Sequence, residues 1–525
     1  MTTAGETGPL RLPLFRALWI ATIVSNVGTW MHDVGAGWLM TSLSSDPLMV
    51  ALVQAATTLP MFLFALPGGA LADIVDRRRL LLAAQAWSLL SAAALAVLTL
   101  LGLTDPLVLL ALTFSLATAA ALNAPAFQAI VPELVPRETL PQAVALNSLG
   151  VNISRAIGPA LGGLIIAAAG PAAVFVLNAV SVLGVMLVLY RWRRTPAASH
   201  LPPEHFLGAL RAGARYVRQS PELRVVLVRS IAFFLFASAI WALLPVIARR
   251  DMGLGPAEYG GLLAFMGGGA VTGAMLLPRL RRYVSANVLT IAASAAFALV
   301  AIALSRATDY WMACAVMAVA GMAWIAMLSS LNVAAQMSAP AWVKARALAV
   351  YMVVFQGAMT AGSTLWGALA AQTDVRTALT VAAAGQVLAL AVAFRYRLGG
   401  DARLDLSPSM HWPAPEVSGD VRPDRGPVMV TVEYRIDPLR VPEFTRAMGE
   451  MRRIRRRDGA MSWSLYEDAA RPGLMIETFV LESWLEHLRQ HERVTHTDHA
   501  LQDEVQKYHL GPDKPVVRHL IAPET

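Results

Sequence analysis

The chain has 525 residues, of which 56% are hydrophobic and only 15% charged, and it carries a net charge of +8. A soluble domain has about 25% charged residues, so a chain-long soluble globule is excluded, and the charge deficit lies before residue 400. The basic residues sit in loops between apolar runs, which suits a membrane protein facing anionic lipid and argues against nucleic-acid binding; the single cysteine, Cys314, rules out an intrachain disulfide.

Twelve apolar segments follow in chain order, each about 20 residues or longer and so able to cross a bilayer as a helix. In the first half they run from about 14–38, 48–68, 80–102, 107–129, 142–168 and 172–190; in the second, from about 224–248, 258–278, 286–304, 310–334, 345–370 and 376–397. The first is long, contains polar residues and lacks a small-residue cleavage site, so it is expected to stay as helix 1 rather than act as a leader. One set of loops carries Arg77 to Arg79, Arg137, Arg191, Arg193, Arg194, Arg279, Arg281, Arg282, Lys344 and Arg346. The alternate loops carry only Arg249, Arg250, Arg306 and Arg376, which predicts a cytoplasmic face for the first set and cytoplasmic termini. Residues 191–223 separate the halves as a basic, proline-bearing linker in which Glu204 to Gln219 reads as an amphipathic helix.

Three stretches carry chemistry. Within helix 1, Asp33 is a lone acid whose burial would let it alternate between neutral and charged forms; hydration near the external end is the competing reading. Between helices 2 and 3, Pro67 to Leu80 reads as a short charged turn, in which Gly69 allows close helix approach, Asp73 caps a helix or pairs with an arginine, and Arg77 and Arg78 hold the cytoplasmic side. In helix 5, Gly158-Pro159 bends the helix and frees a carbonyl, and Gly162-Gly163 permits tight packing. The same helix holds Arg155, which either couples substrate to protons or bonds structurally to the freed carbonyl. Gln54, Asn123, Gln128, Asn152 and Gln356 are further polar residues in helices, as consistent with cavity lining as with interhelical bonding.

The turn resembles the helix 2–3 loop of the major facilitator superfamily, G-x-L-x-D-R-x-G-R-R, matched by Gly69, Leu71, Asp73, Arg77 and Arg78, with Ile74 and Asp76 departing from it. The helix-5 segment resembles the antiporter motif G-x-x-x-G-P-x-x-G-G, with Ser154 in place of its first glycine. Together with Pro125-Ala126-Phe127-Gln128 and Val135-Pro136-Arg137-Glu138, these resemble the exporter branch that includes the enterobactin exporter and the transmembrane secretion effectors. That resemblance, over about residues 10–398, implies an all-α membrane protein of two six-helix halves, 1–190 and 224–398. It further implies proton-coupled export of a small amphipathic molecule by alternating access across the plasma (inner) membrane. Partners would be that small molecule, protons and the lipid bilayer. A faint repeat between the halves, Gly69 to Arg79 against Gly273 to Arg282, is consistent with this.

Residues 399–426 are rich in Pro, Asp, Arg and Ser and read as a flexible linker. The tail, 427–525, then shows strand alternation at Val428 to Ile436, a helix face of Val441, Phe444, Met448 and Met451, strands near Met461 to Leu465 and Leu474 to Val480, a helix opened by Ser483 to Glu486, and a last strand at Val516 to Ile521. The order βαββαβ is that of a ferredoxin-like domain, and it loosely resembles the antibiotic-biosynthesis monooxygenase fold. Self-association through the tail is expected to be open to it. The arginines 452, 453, 455, 456 and 457 read as a basic surface for the inner leaflet or a solvated face. His487 and His491 stand i,i+4, but no third partner at a recognised spacing completes a metal site, and no cofactor or catalytic constellation is evident. No nucleotide-binding loop G-x-x-x-x-G-K-[ST] is present. The alternative function is a membrane-anchored enzyme or sensor acting through the tail.

Overall fold

The computed structural model describes residues 8–192, 206–340, 342–399, 405–413 and 421–523, without the side chains of Ala70, Asp73, Ile74, Arg137 and residues 206–212. The residues form two compact units, one comprising 1–200, 227–332 and 351–398, the other 201–226, 333–350 and 399–525.

The first unit is helical. Its helices are α1 (Pro13–Leu43), α2 (Pro47–Ile74), α3 (Arg77–Leu100), α4 (Pro106–Leu134), α5 (Leu140–Ala169) and α6 (Pro171–Arg191), and, beyond α7 (Phe206–Gln219), α8 (Pro221–Val246), α9 (Pro256–Leu280), α10 (Ala286–Ser305), α11 (Tyr310–Met337), α12 (Lys344–Gln372) and α13 (Val375–Arg395). The first turns of α8 and α12 and the last turn of α11 fall in the second unit. Helices α2 and α4 begin with proline just after an aspartate, because proline loses no helical hydrogen bond there and the carboxylate takes up an orphan amide. Asp46 accepts from the amide of Leu48 (2.8 Å) and Asp105 from that of Val108 (2.8 Å). Among the described residues, eleven helices are long and apolar enough to cross a membrane. The 31-residue α1 is not one of them; it carries Arg16, Ser25, Asn26, His32 and Asp33.

Between helices 2 and 3 the structure departs from the expected turn. Helix α2 continues through Gly69 and Asp73 to Ile74, and only Val75 and Asp76 separate it from α3. The capping acid is therefore Asp76, one residue before the helix, whose carboxylate accepts from the amide of Arg79 (2.9 Å). The Asp73 side chain, expected in that role, lies outside the described residues. Helix α4 likewise runs past Pro125 and Pro132 to Leu134, beyond the expected end of its apolar segment near 129.

Helix α1 packs on α5 and α6, α2 on α4, and α3 on α4 and α6. Helix α8 contacts α10 through Phe233 and Phe297 (5.2 Å between centroids), and α12 through a bond from Trp366 Nε1 to the Leu235 carbonyl (2.7 Å). Buried Arg229 of α8 donates to Asn287 Oδ1 (2.8 Å) and Thr290 Oγ1 (2.6 Å) of α10. This pairing of a buried arginine with polar groups at the helix ends is what makes its burial tolerable.

The second unit contains a four-stranded antiparallel sheet of β1 (Val428–Arg435), β2 (Ser462–Glu467), β3 (Leu474–Leu481) and β4 (Val516–Ile521), in the order β2-β3-β1-β4. Helices α14 (Val441–Asp458), α15 (Trp484–Arg493) and α16 (His496–Gln506) complete it, and α7 packs on α14. Alternation places Val428, Val430, Val432 and Tyr434 in a core with Phe444, Met448 and Met451. The described parts of the expected linker bond to the tail: the amide of Ser409 donates to the Val494 carbonyl (2.9 Å) and that of Trp484 to the Arg425 carbonyl (2.7 Å).

The expected five-arginine surface is only partly exposed. Arg455 follows Phe444, Met448 and Met451 at helical spacing and points inward, donating to Glu477 Oε1 (3.0 Å). Arg457 is held between Asp458 (2.8 Å) and Asp498 (2.6 Å). Ser483 caps α15 by accepting from the Glu486 amide (3.3 Å), while Glu486 turns to Arg489 and Arg493 (2.8 and 2.9 Å). The reciprocal capping box instead opens α16, between Thr495 and Asp498.

Candidate functional site

A cavity of about 310 Å³ lies among α1, α2, α5, α8, α9, α11 and α12. Asp33 reaches it from α1 and Arg155 from α5, joined by Gln54 of α2 and Gln356 of α12. Its remaining wall is mostly apolar and includes the aromatic residues Trp30, Trp241, Tyr259, Trp324 and Phe355. The Arg155 guanidinium lies 5.6 Å from the Trp30 ring centroid, and its buried Nε has no hydrogen-bond partner. Such a wall suits an amphipathic ligand, with the rings taking apolar or aromatic parts and the charged groups fixing orientation. His32, next to Asp33, instead packs against Phe175 (4.9 Å).

The helix-5 motif supports this cavity through backbone proximity. Pro159 lacks the amide that would bond the carbonyl four residues earlier, and that carbonyl belongs to Arg155. At Gly158 a Cβ would stand 3.2 Å from the Val27 carbonyl, and at Gly162 it would stand 3.1 Å from Met31 Cα, so α5 lies directly on α1. At Gly163 a Cβ would be 2.8 Å from Gly260 Cα, where α5 crosses α9.

Near that crossing, side chains tie the end of α8 to α1 and to the corner between α1 and α2. Arg249 donates to Thr41 Oγ1 (3.1 Å), and Arg250 to the carbonyls of Ser44 (2.6 Å) and Ser45 (2.5 Å). Trp38 stacks on Tyr259 at 5.6 Å, and Arg249 lies over Trp38 at 5.1 Å. Beside the cavity, Thr58 Oγ1 and Thr360 Oγ1 share a hydrogen bond of 2.7 Å, linking α2 to α12.

The other polar residues singled out in the sequence are placed elsewhere. Asn123 accepts from Gln85 Nε2 (3.3 Å), Asn152 donates to the Ser148 carbonyl (2.9 Å), and Gln128 is exposed; none lines the cavity. In the loop motif, Arg77 pairs with Glu133 (2.8 Å), and Arg78 donates to the carbonyls of Leu189 (2.9 Å) and Tyr190 (2.6 Å). A Cβ at Gly69 would meet nothing within 4 Å. Thr58, Tyr259 and Phe355 also line the wall; an apolar helix offers no local signal for which of its side chains faces a neighbour.

The chain matches the family model described as transmembrane secretion effector over residues 4–525. The enterobactin exporter EntS of Escherichia coli is 30% identical over 334 residues, which are 61% of this chain and 76% of the exporter. The staphyloferrin A transporter of Staphylococcus aureus is 25% identical over 265 residues, 49% of this chain and 65% of that one. Among solved structures, a bacterial homologue of the human lysosomal transporter Spinster, inward-facing and unoccupied, superposes with a TM-score of 0.59 at 14% identity, covering 74% of this chain and 98% of its own. The nucleoside transporter NupG gives 0.62 at 12% identity, covering 73% and 98%. These structures share the transporter fold, and the family and its relatives are transporters rather than enzymes.

Proposed function

The chain belongs to the transmembrane secretion effector family of the major facilitator superfamily, and on that premise we propose that it is a proton-coupled exporter of a small amphipathic molecule of the siderophore class. The observation that carries this reading is the cavity that holds Asp33 and Arg155 among aromatic side chains. Twelve spans in two six-helix halves rock about this site to expose it to alternate sides. Both termini and the tail lie in the cytoplasm of a cell with the chain in its inner membrane, as the loop arginines favour. On that orientation the end tied by Arg249 and Arg250 is external, and the conformation is closed to the outside. A siderophore as cargo is supported by the two relatives, an enterobactin exporter and a staphyloferrin A transporter.

The tail is a ferredoxin-like domain by strand order. Its outer sheet face presents Met429, Tyr466, Val516 and Leu520, all exposed, which supports self-association of two copies. The membrane-anchored enzyme or sensor is the weaker reading, since the relatives are transporters. The deciding experiment compares accumulation of a siderophore panel in cells with and without the protein, before and after the proton gradient is dissipated. Gradient-dependent depletion of one class is expected; equal accumulation of all compounds refutes export of this class.

A further inference from the structure

The tail brings together three histidines that sequence spacing leaves apart. His487 and His491 lie one turn apart on α15, while His519 stands on β4 opposite Val430 of β1. Facing residues of an antiparallel pair share one side of the sheet, and Val430 is buried, so His519 is on the helix-covered side. One ligand nitrogen from each ring lies within 4.8 Å of the other two. The His487 ring is 4.8 Å from that of His491 and 4.7 Å from that of His519.

We propose that His487, His491 and His519 form a three-imidazole site for a borderline divalent transition-metal ion, with Zn²⁺ as the reference ion. The chemistry of the donor set selects this class, because neutral imidazoles suit zinc, copper and nickel, whereas magnesium and calcium need oxygen ligands. His487 is 1% exposed, and neither of its ring nitrogens has a hydrogen-bond partner. A buried polar group left unsatisfied costs about 1–3 kcal/mol, and an ion would take up the bare acceptor nitrogen. An ion binds imidazole in its neutral form.

The positive charge of buried Arg455 is matched by Glu477 at 3.0 Å. The walls are aromatic: Trp484 lies 5.2 Å from His487, and Trp412 lies 4.9 Å from His491. Tetrahedral ligands about 2.0–2.1 Å from zinc are about 3.3 Å apart, so modest ring rotations close the site. The fourth position would fall to water or an outside ligand. The bound ion would cross-link α15 to β4.

The test uses the full-length protein in detergent, purified without a polyhistidine tag and stripped with chelator. Equilibrium dialysis with Zn²⁺ should find one tightly held ion per chain, and zinc-edge absorption should count three imidazoles. His491→Gln and His519→Gln, at half-buried positions, should each weaken binding roughly tenfold or more, while His496→Gln, at an exposed position on α16, should not. No bound ion in the stripped parent after reloading, fewer than three imidazoles, or binding indifferent to both variants overturns the proposal.

Discussion

Asp33 and Arg155 line the same cavity, and the buried Arg155 Nε has no hydrogen-bond partner. A carboxylate and a guanidinium at membrane depth cost several kcal/mol when unpaired. Two such groups in one cavity are available to a proton and to a charged ligand. Asp33→Asn keeps the shape and removes the change of charge. Uphill export should be lost while the protein still reaches the membrane, measured as energised efflux against the amount in the membrane fraction. Normal uphill pumping by this variant would falsify coupling through Asp33.

Helices α5 and α9 cross glycine on glycine at Gly163 and Gly260, with no room for a side chain. Gly163→Leu should push the helices apart at the end tied by Arg249 and Arg250 and raise the labelling of a cavity cysteine from that side. Gly158→Leu should strike α1 at Val27 and Trp30 and lower transport with little loss of insertion. Unchanged transport in both would show that close packing here is dispensable.

Arg77 ties α3 to α4 through Glu133, and Asp76 caps α3. Asp76→Ala should cost about 1 kcal/mol as a lost N-cap. Arg77→Ala should shift the balance between access states while substrate still binds. Paired measurements of ligand affinity and two-sided cysteine labelling separate these outcomes, and an affinity loss without any labelling change contradicts the latch role.

In the tail, Glu477 is fully buried and receives Arg455, Tyr434 Oη (3.2 Å) and Trp463 Nε1 (2.9 Å). Glu477→Gln leaves Arg455 buried without a counter-charge, and breaking a buried pair in this way costs about 3–5 kcal/mol. The tail should unfold at lower temperature and be cleaved sooner by protease in the full-length protein. Arg452→Ala, on the exposed side of α14 (its guanidinium 6.0 Å from the Trp463 ring), should leave both measurements close to the parent.

Local periodicity carried the apolar segments, the tail strands and the helix-5 motif, because hydrophobic runs, prolines and glycines act on the chain within a few residues of themselves. The boundaries it misplaced, at Asp73 and at the end of the fourth apolar segment near 129, are where helices α2 and α4 outlast their apolar stretch, to Ile74 and Leu134. Asp33, Gln54, Arg155 and Gln356 were each legible as polar residues in apolar helices. That these four share a cavity, while Asn123, Gln128 and Asn152 do not, depends on how helices rotate when they pack. The inward turn of Arg455 was hidden in a run of arginines, because only Glu477 on a separate strand gives the buried guanidinium a partner. His519 lies 28 residues beyond His491 in the numbering, and only the pairing of β4 with β1, under α15, brings their imidazoles together: such proximity is set by strand pairing and burial across the fold, and no sequence spacing encodes it.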